Sequence, residues 1–171
     1  KFTMREQGYM APILNDDNWQ FGGSIDTIHE TIANGRRGVM TPHKGVLSDQ
    51  QIDDVARWVL ASSEGKGGTA EFAAGKKVFA ESGCVACHGA DGKGMEAMGS
   101  ANLTDKIWRF DGSLEGIKQT ITYGVNMGGD SRDAVMPNFT EAGKLTPAEI
   151  KKLAVYVYKL GGGQADAVAK K

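Results

Sequence analysis

Cys84-Val85-Ala86-Cys87-His88 holds both cysteines of this 171-residue chain. The spacing C-x-x-C-H is the attachment signature of a c-type haem. Two thiols add across the two vinyl groups of one haem edge, so a short loop must reach both. The residue that follows, His88, then lies under the iron as proximal ligand. Other uses of the pattern fit less well. A redox C-x-x-C sits in a strand–helix–strand context, and nothing around it alternates in that way. A zinc site needs two more ligands at suitable spacing, and His29 and His43 are far off in sequence. A plain disulfide leaves His88 without a role. The motif therefore predicts haem c held by Cys84 and Cys87, with His88 on the iron.

The flanks agree. Upstream, the run from Thr69 to Ala80 reads as a helix whose apolar face carries Phe72, Val78 and Phe79. Gly83 is placed to end it. Downstream, Gly89 to Gly94 reads as a loop that passes close to the ring. A second axial ligand must come from elsewhere. Met136, in Val135-Met136-Pro137, is the choice, because Pro137 holds the preceding residue extended and so presents its thioether. A Met/His pair raises the reduction potential and fills both axial positions, which suits electron transfer. Met95, Met98 and Met127 are rival ligands, and Met136 as core filler is the bland alternative.

A closing helix starts at Leu145-Thr146-Pro147-Ala148-Glu149. Thr146 is the N-cap, Pro147 takes the first helical position and Glu149 completes a capping box. Ile150, Leu153, Val157 and Leu160 form its apolar stripe, with Tyr156 beside it. This helix is expected to pack across the one carrying Phe79. Residues 164–171 read as a frayed tail.

The chain also repeats itself. Leu14-Asn15-Asp16-Asp17-Asn18-Trp19-Gln20-Phe21 matches Leu103-Thr104-Asp105-Lys106-Ile107-Trp108-Arg109-Phe110 at an offset of 89. The match runs on through Ile28/Ile117, Ile32/Ile121 and Gly35/Gly124. The second copy then gains residues, so that Met40 pairs with Met136, and Ile52, Val55 and Trp58 pair with Ile150, Leu153 and Tyr156. Ser48 and Gln51 reproduce the capping box. Two tandem domains follow: residues 1–62, a linker at 63–69, and residues 70–163. By the same offset the first copy's C-x-x-C-H would fall just before Lys1. The first domain thus reads as lacking its N-terminal helix and haem motif, through a missing segment or through degeneration. Met40 is its iron ligand only if an upstream C-x-x-C-H exists, with His43 as a weaker competitor.

Composition narrows the function. Net charge is −1, so a nucleic-acid partner has no electrostatic support. No apolar run approaches the roughly 20 residues of a membrane span, and no signal-peptide pattern is present. Two Asn-x-Thr triplets, at Asn102 and Asn138, read as coincidence.

The tandem arrangement, the segment Leu14-Asn15-Asp16-Asp17-Asn18-Trp19 with Phe21-Gly22-Gly23, the Ile28-x-x-x-Ile32-x-x-Gly35 run and the Met40-x-Pro42 and Met136-Pro137 loops resemble the dihaem cytochrome c subunit of cbb-type haem–copper oxidases. The resemblance covers about residues 8–162. It implies an all-α fold of two small cytochrome c-like domains, loop-rich around haem. It implies a periplasmic electron-transfer subunit, not an enzyme by itself, tethered to the bacterial inner membrane through an upstream anchor. It further implies a soluble donor cytochrome and, as partners, the monohaem and catalytic subunits of the oxidase. Carried over by position, Cys84, Cys87, His88 and Met136 hold the second haem, and Trp19 and Trp108 are candidates for haem propionate contact or for core. A soluble dihaem carrier and a dihaem peroxidase are the alternatives. Two Met-bearing loops speak against the peroxidase, which needs an open iron position.

Overall fold

The computed structural model describes residues 12–16, 18–141, 143–161 and 163–164. Six α-helices account for most of the regular structure among them, with two strands of two residues each: α1 Ile25–Asn34, β1 Arg36–Arg37, α2 Asp49–Ser63, α3 Ala73–Glu81, α4 Val85–His88, α5 Leu114–Tyr123, β2 Val135–Met136 and α6 Pro147–Gly161. The fold is all-α, as the sequence predicts. A short 3-10 turn at Ala70–Phe72 leads into α3, so the helix expected from Thr69 begins in tighter form.

Local signals set the helix starts. Ser48 Oγ accepts from Gln51 N–H while Gln51 Oε1 accepts from Ser48 N–H, which closes the capping box of α2. Thr146 and Glu149 do the same for α6, with Glu149 N–H donating to Thr146 Oγ1 and Thr146 N–H donating to Glu149 Oε2. Ser24 and Ser113, equivalent by the repeat, cap α1 and α5 through Thr27 N–H and Gly116 N–H.

Packing divides the chain in a way that the repeat does not. One compact unit is residues 38–134; the other joins 1–37 to 135–171. The contiguous division at 62/70 follows the repeated sequence, whereas compactness cuts through both copies. In the first unit α2 packs on α3 and on α5. Its core holds Ile52, Val55, Ala56, Trp58, Val59, Phe79, Ile117 and Ile121. Trp58 and Phe79 meet with ring centroids 4.5 Å apart. Gly75 is where α3 comes closest to α2, because a Cβ there would overlap Asp54 O and crowd Trp58. Across the seam with α5, Lys118 Nζ lies 3.2 Å from Asp53 Oδ1. In the second unit α6 packs on α1, around Ile28, Ile32, Ile150 and Ala154.

The helix expected to cross α3 was α6. The structure puts α2 there instead, and the physical reason is the repeat. The two closing helices carry equivalent stripes, Ile52/Val55/Trp58 and Ile150/Leu153/Tyr156, so either can cover a partner helix. The exposures record the outcome. Val55 is 2% and Trp58 6% exposed, whereas Leu153 is 37% and Tyr156 61% exposed. Of the expected α6 stripe, Ile150 and Val157 pack on this core, joined by Ala154 and Tyr158.

The short strands repeat the exchange. Arg36 pairs with Met136 in one unit, and Val125 bridges Met40 in the other, antiparallel in both cases. The repeat maps Arg36 onto Val125 and Met136 onto Met40, so these are the same pairing made twice. Gly35 and Gly124 sit beside it at φ 69°, ψ −177° and φ 76°, ψ −164°, a region essentially restricted to glycine. A Cβ on Gly124 would overlap Met40 O, and one on Gly35 would overlap Met136 O. Gly124→Ala is therefore expected to destabilise the unit by more than about 3 kcal/mol, read as a lowered urea midpoint. Ala at the exposed Gly45, where an added Cβ meets nothing, should cost clearly less.

Candidate haem site

The motif sits on a single helical turn. After α3 ends at Glu81, Gly83 takes φ 83° and reverses the chain into α4. Both cysteines are free thiols and half-buried. Burial pushes the Cys84 thiol above its ordinary pKa. Cys84 and Val85 pack against the core that contains Trp58 and Phe79. Ser100 Oγ donates to Cys87 O, tying the turn to the loop that follows.

His88 is oriented for ligation. Its Nδ1 lies 2.9 Å from Ala101 O. A carbonyl only accepts, so Nδ1 carries the proton and Nε2 keeps its lone pair. Burial lowers the pKa of His88, while the bond to Ala101 opposes that shift more weakly. Burial, the larger effect, favours the neutral imidazole, and the bond to Ala101 commits Nδ1 and leaves Nε2 for a metal, with the ring held by a backbone carbonyl.

The methionines separate sharply. Met40 is half-buried and packs against the same core as Cys84, Val85, Leu103 and Trp108. Met136 packs against Ile28, Ile32, Ile150 and Ala154, in the other unit. The rivals Met95, Met98 and Met127 are 38%, 55% and 48% exposed. Sequence order groups Met136 with His88. The structure places Met40 in the same unit as His88 and on the same core as Cys84 and Val85, consistent with α2 packing on α3. His43, the weaker competitor, is half-buried, and its backbone N–H donates to Ile121 O.

The tryptophans take core positions. Trp108 packs against the unit that contains the motif, and Trp19 against the other. Each is flanked by a glycine, Gly112 and Gly23, on which a Cβ would run into the indole. Trp19 Nε1 is buried without a partner among the described residues.

Two thiols at thioether spacing, a neutral imidazole with one nitrogen committed to a carbonyl, and a half-buried thioether in the same unit form a donor set that fits a covalent haem. Residues 72–161 match the family model for cytochrome c. The chain belongs to the cytochrome c family, whose members carry haem. Among curated proteins it is similar to the cbb3-type cytochrome c oxidase subunit CcoP of Cereibacter sphaeroides, 38% identical over 164 residues that cover 90% of this chain and 53% of that protein. It is also similar to CcoP of Rhodobacter capsulatus, 39% identical with 90% and 54% covered. The subunit FixP of Bradyrhizobium diazoefficiens is 42% identical, with 90% and 53% covered. The chain spans about half the length of these relatives. No helix among the described residues is long and apolar enough to cross a membrane.

Proposed function

We propose that this chain is the periplasmic electron-carrying part of a cbb3-type oxidase subunit. It takes electrons from a soluble donor cytochrome and passes them, through a monohaem subunit, towards the catalytic subunit. The observation that carries this is the His88 arrangement within C-x-x-C-H, in a chain about 40% identical to CcoP and FixP across most of its length. Cys84 and Cys87 would hold the haem by thioethers, with His88 Nε2 as an iron ligand. Met40 would be the second ligand, because it is the methionine that packs with the motif. Met136 serves the haem of the first copy, whose C-x-x-C-H lies upstream of Lys1 in the whole protein, and an anchor further upstream tethers it to the inner membrane. The haem supplies a one-electron couple. With His88 and Met40 both as ligands, the iron would have no open position for oxygen or peroxide, which favours a carrier over the peroxidase alternative.

The test is oxygen uptake by membranes carrying the full-length subunit in its oxidase. Cys84→Ala/Cys87→Ala should abolish uptake driven by a reduced donor cytochrome while the haems of the catalytic subunit keep their spectrum. Undiminished uptake by that variant would remove this haem from the electron path.

A further inference from the structure

We propose that Arg109 and Arg132 hold the propionate carboxylates of the haem attached to Cys84 and Cys87. This rests on the haem reading above, and concerns how the cofactor's anionic edge is held.

Both guanidinium groups are buried at Nε without a hydrogen-bond partner among the described residues, and neither forms an ion pair there. Burial disfavours the charged form of Arg109, with nothing opposing it. Both residues are half-buried as a whole, and a buried guanidinium N–H without an acceptor still carries a desolvation cost that a partner would offset. Asp111 feels the charge of Arg132, but its two oxygens already accept from Ser113 N–H and Ser113 Oγ. Among the described residues no carboxylate pairs with either guanidinium, which leaves both open to an anion brought by a cofactor. A haem brings two carboxylates, and the planar fork of arginine matches a carboxylate through two parallel hydrogen bonds.

Both arginines are tied to the iron-ligand candidates. The loop that begins at Ala101, the hydrogen-bond partner of His88, leads through Leu103 and Trp108 on the core to Arg109. Val125 bridges Met40 on one side and Arg132 on the other. Arg132 Cζ lies 5.7 Å from the ring centroid of Phe110, the residue that follows Arg109 in the chain.

The other unit supplies a contrast. There Gln20 stands where the repeat places Arg109. Arg36 lies 5.0 Å over Phe21, the equivalent of Phe110, and its Nε donates to Thr31 Oγ1. Thr120, the equivalent of Thr31, gives its hydroxyl to Gly116 O instead. An arginine over this phenylalanine thus finds a partner inside the chain in one unit and none in the unit that carries the C-x-x-C-H motif.

The experiment uses the haem-loaded chain with Arg109→Gln, Arg132→Gln and the two Lys variants. Haem per chain is measured first: if the unaltered protein carries no covalent haem, the underlying reading fails, not this one alone. With haem present, resonance Raman gives the propionate-bending band, and a redox titration gives the potential. Each Gln variant should shift the band and lower the potential, because a positive charge beside the haem favours the reduced state. Each Lys variant should shift the band but recover most of the potential. An unshifted band and unchanged potential in both Gln variants would overturn the proposal. Should the Gln variants fail to accumulate, the Lys variants decide: an unshifted band in both overturns it, and a shifted band sustains it.

Discussion

Met40→Ala is expected to abolish the sulfur–iron charge-transfer band of the haem on Cys84 and Cys87. Its reduction potential should fall by on the order of a tenth of a volt or more, within the roughly 0.8 V that axial ligation spans. Met136→Ala, in the same 171-residue chain, should leave both unchanged. The contrast follows from packing. Met40 shares a core with Cys84 and Val85 and is bridged to Val125, while Met136 belongs with α1 and α6. Neither substitution alters the capped helices, so folding should survive and the spectra report ligation. Visible absorption of the oxidised protein and a redox titration check the result. Loss of the band in Met136→Ala with its retention in Met40→Ala would restore the assignment by sequence order.

Trp58→Ala should destabilise the unit that carries the motif by about 3–5 kcal/mol, the cost of emptying a large buried aromatic site. Tyr156→Ala, at the equivalent position of the second copy, should cost less than about 1 kcal/mol, since most surface substitutions do little. Trp58 is 6% exposed, stacks on Phe79 and donates from Nε1 to Gly67 O, whereas Tyr156 is 61% exposed. Given the usual 5–15 kcal/mol of total stability, the first change brings the unit close to unfolding. Urea denaturation of the two variants separates the exchanged packing from the contiguous one, in which Tyr156 would cover Phe79 and the costs would be reversed.

Much of this was legible in the sequence, and for identifiable reasons. C-x-x-C-H, the two capping boxes and the break at Gly83 are local patterns, and local chemistry determines local structure. The repeat was visible because Trp, Gly and Ile recur at a fixed offset. What the sequence left open is which copy of a repeated helix packs where. Val55/Trp58 and Leu153/Tyr156 present the same stripe, so periodicity assigns both to a core and only tertiary contact shows that one pair is buried. The choice between Met40 and Met136 depends on that same contact. Arg109 left one trace, since it faces Gln20 in the repeat. Nothing in the sequence marked its Nε, or that of Arg132, as buried without a partner.

The central claim, haem c on Cys84 and Cys87, is tested most directly by intact mass of the purified chain from a host that attaches haem to exported proteins. The account predicts a mass raised by one haem on the chain as given, and no added mass in Cys84→Ala/Cys87→Ala. An unmodified mass for the unaltered chain, or haem retained covalently by the double variant, would contradict it.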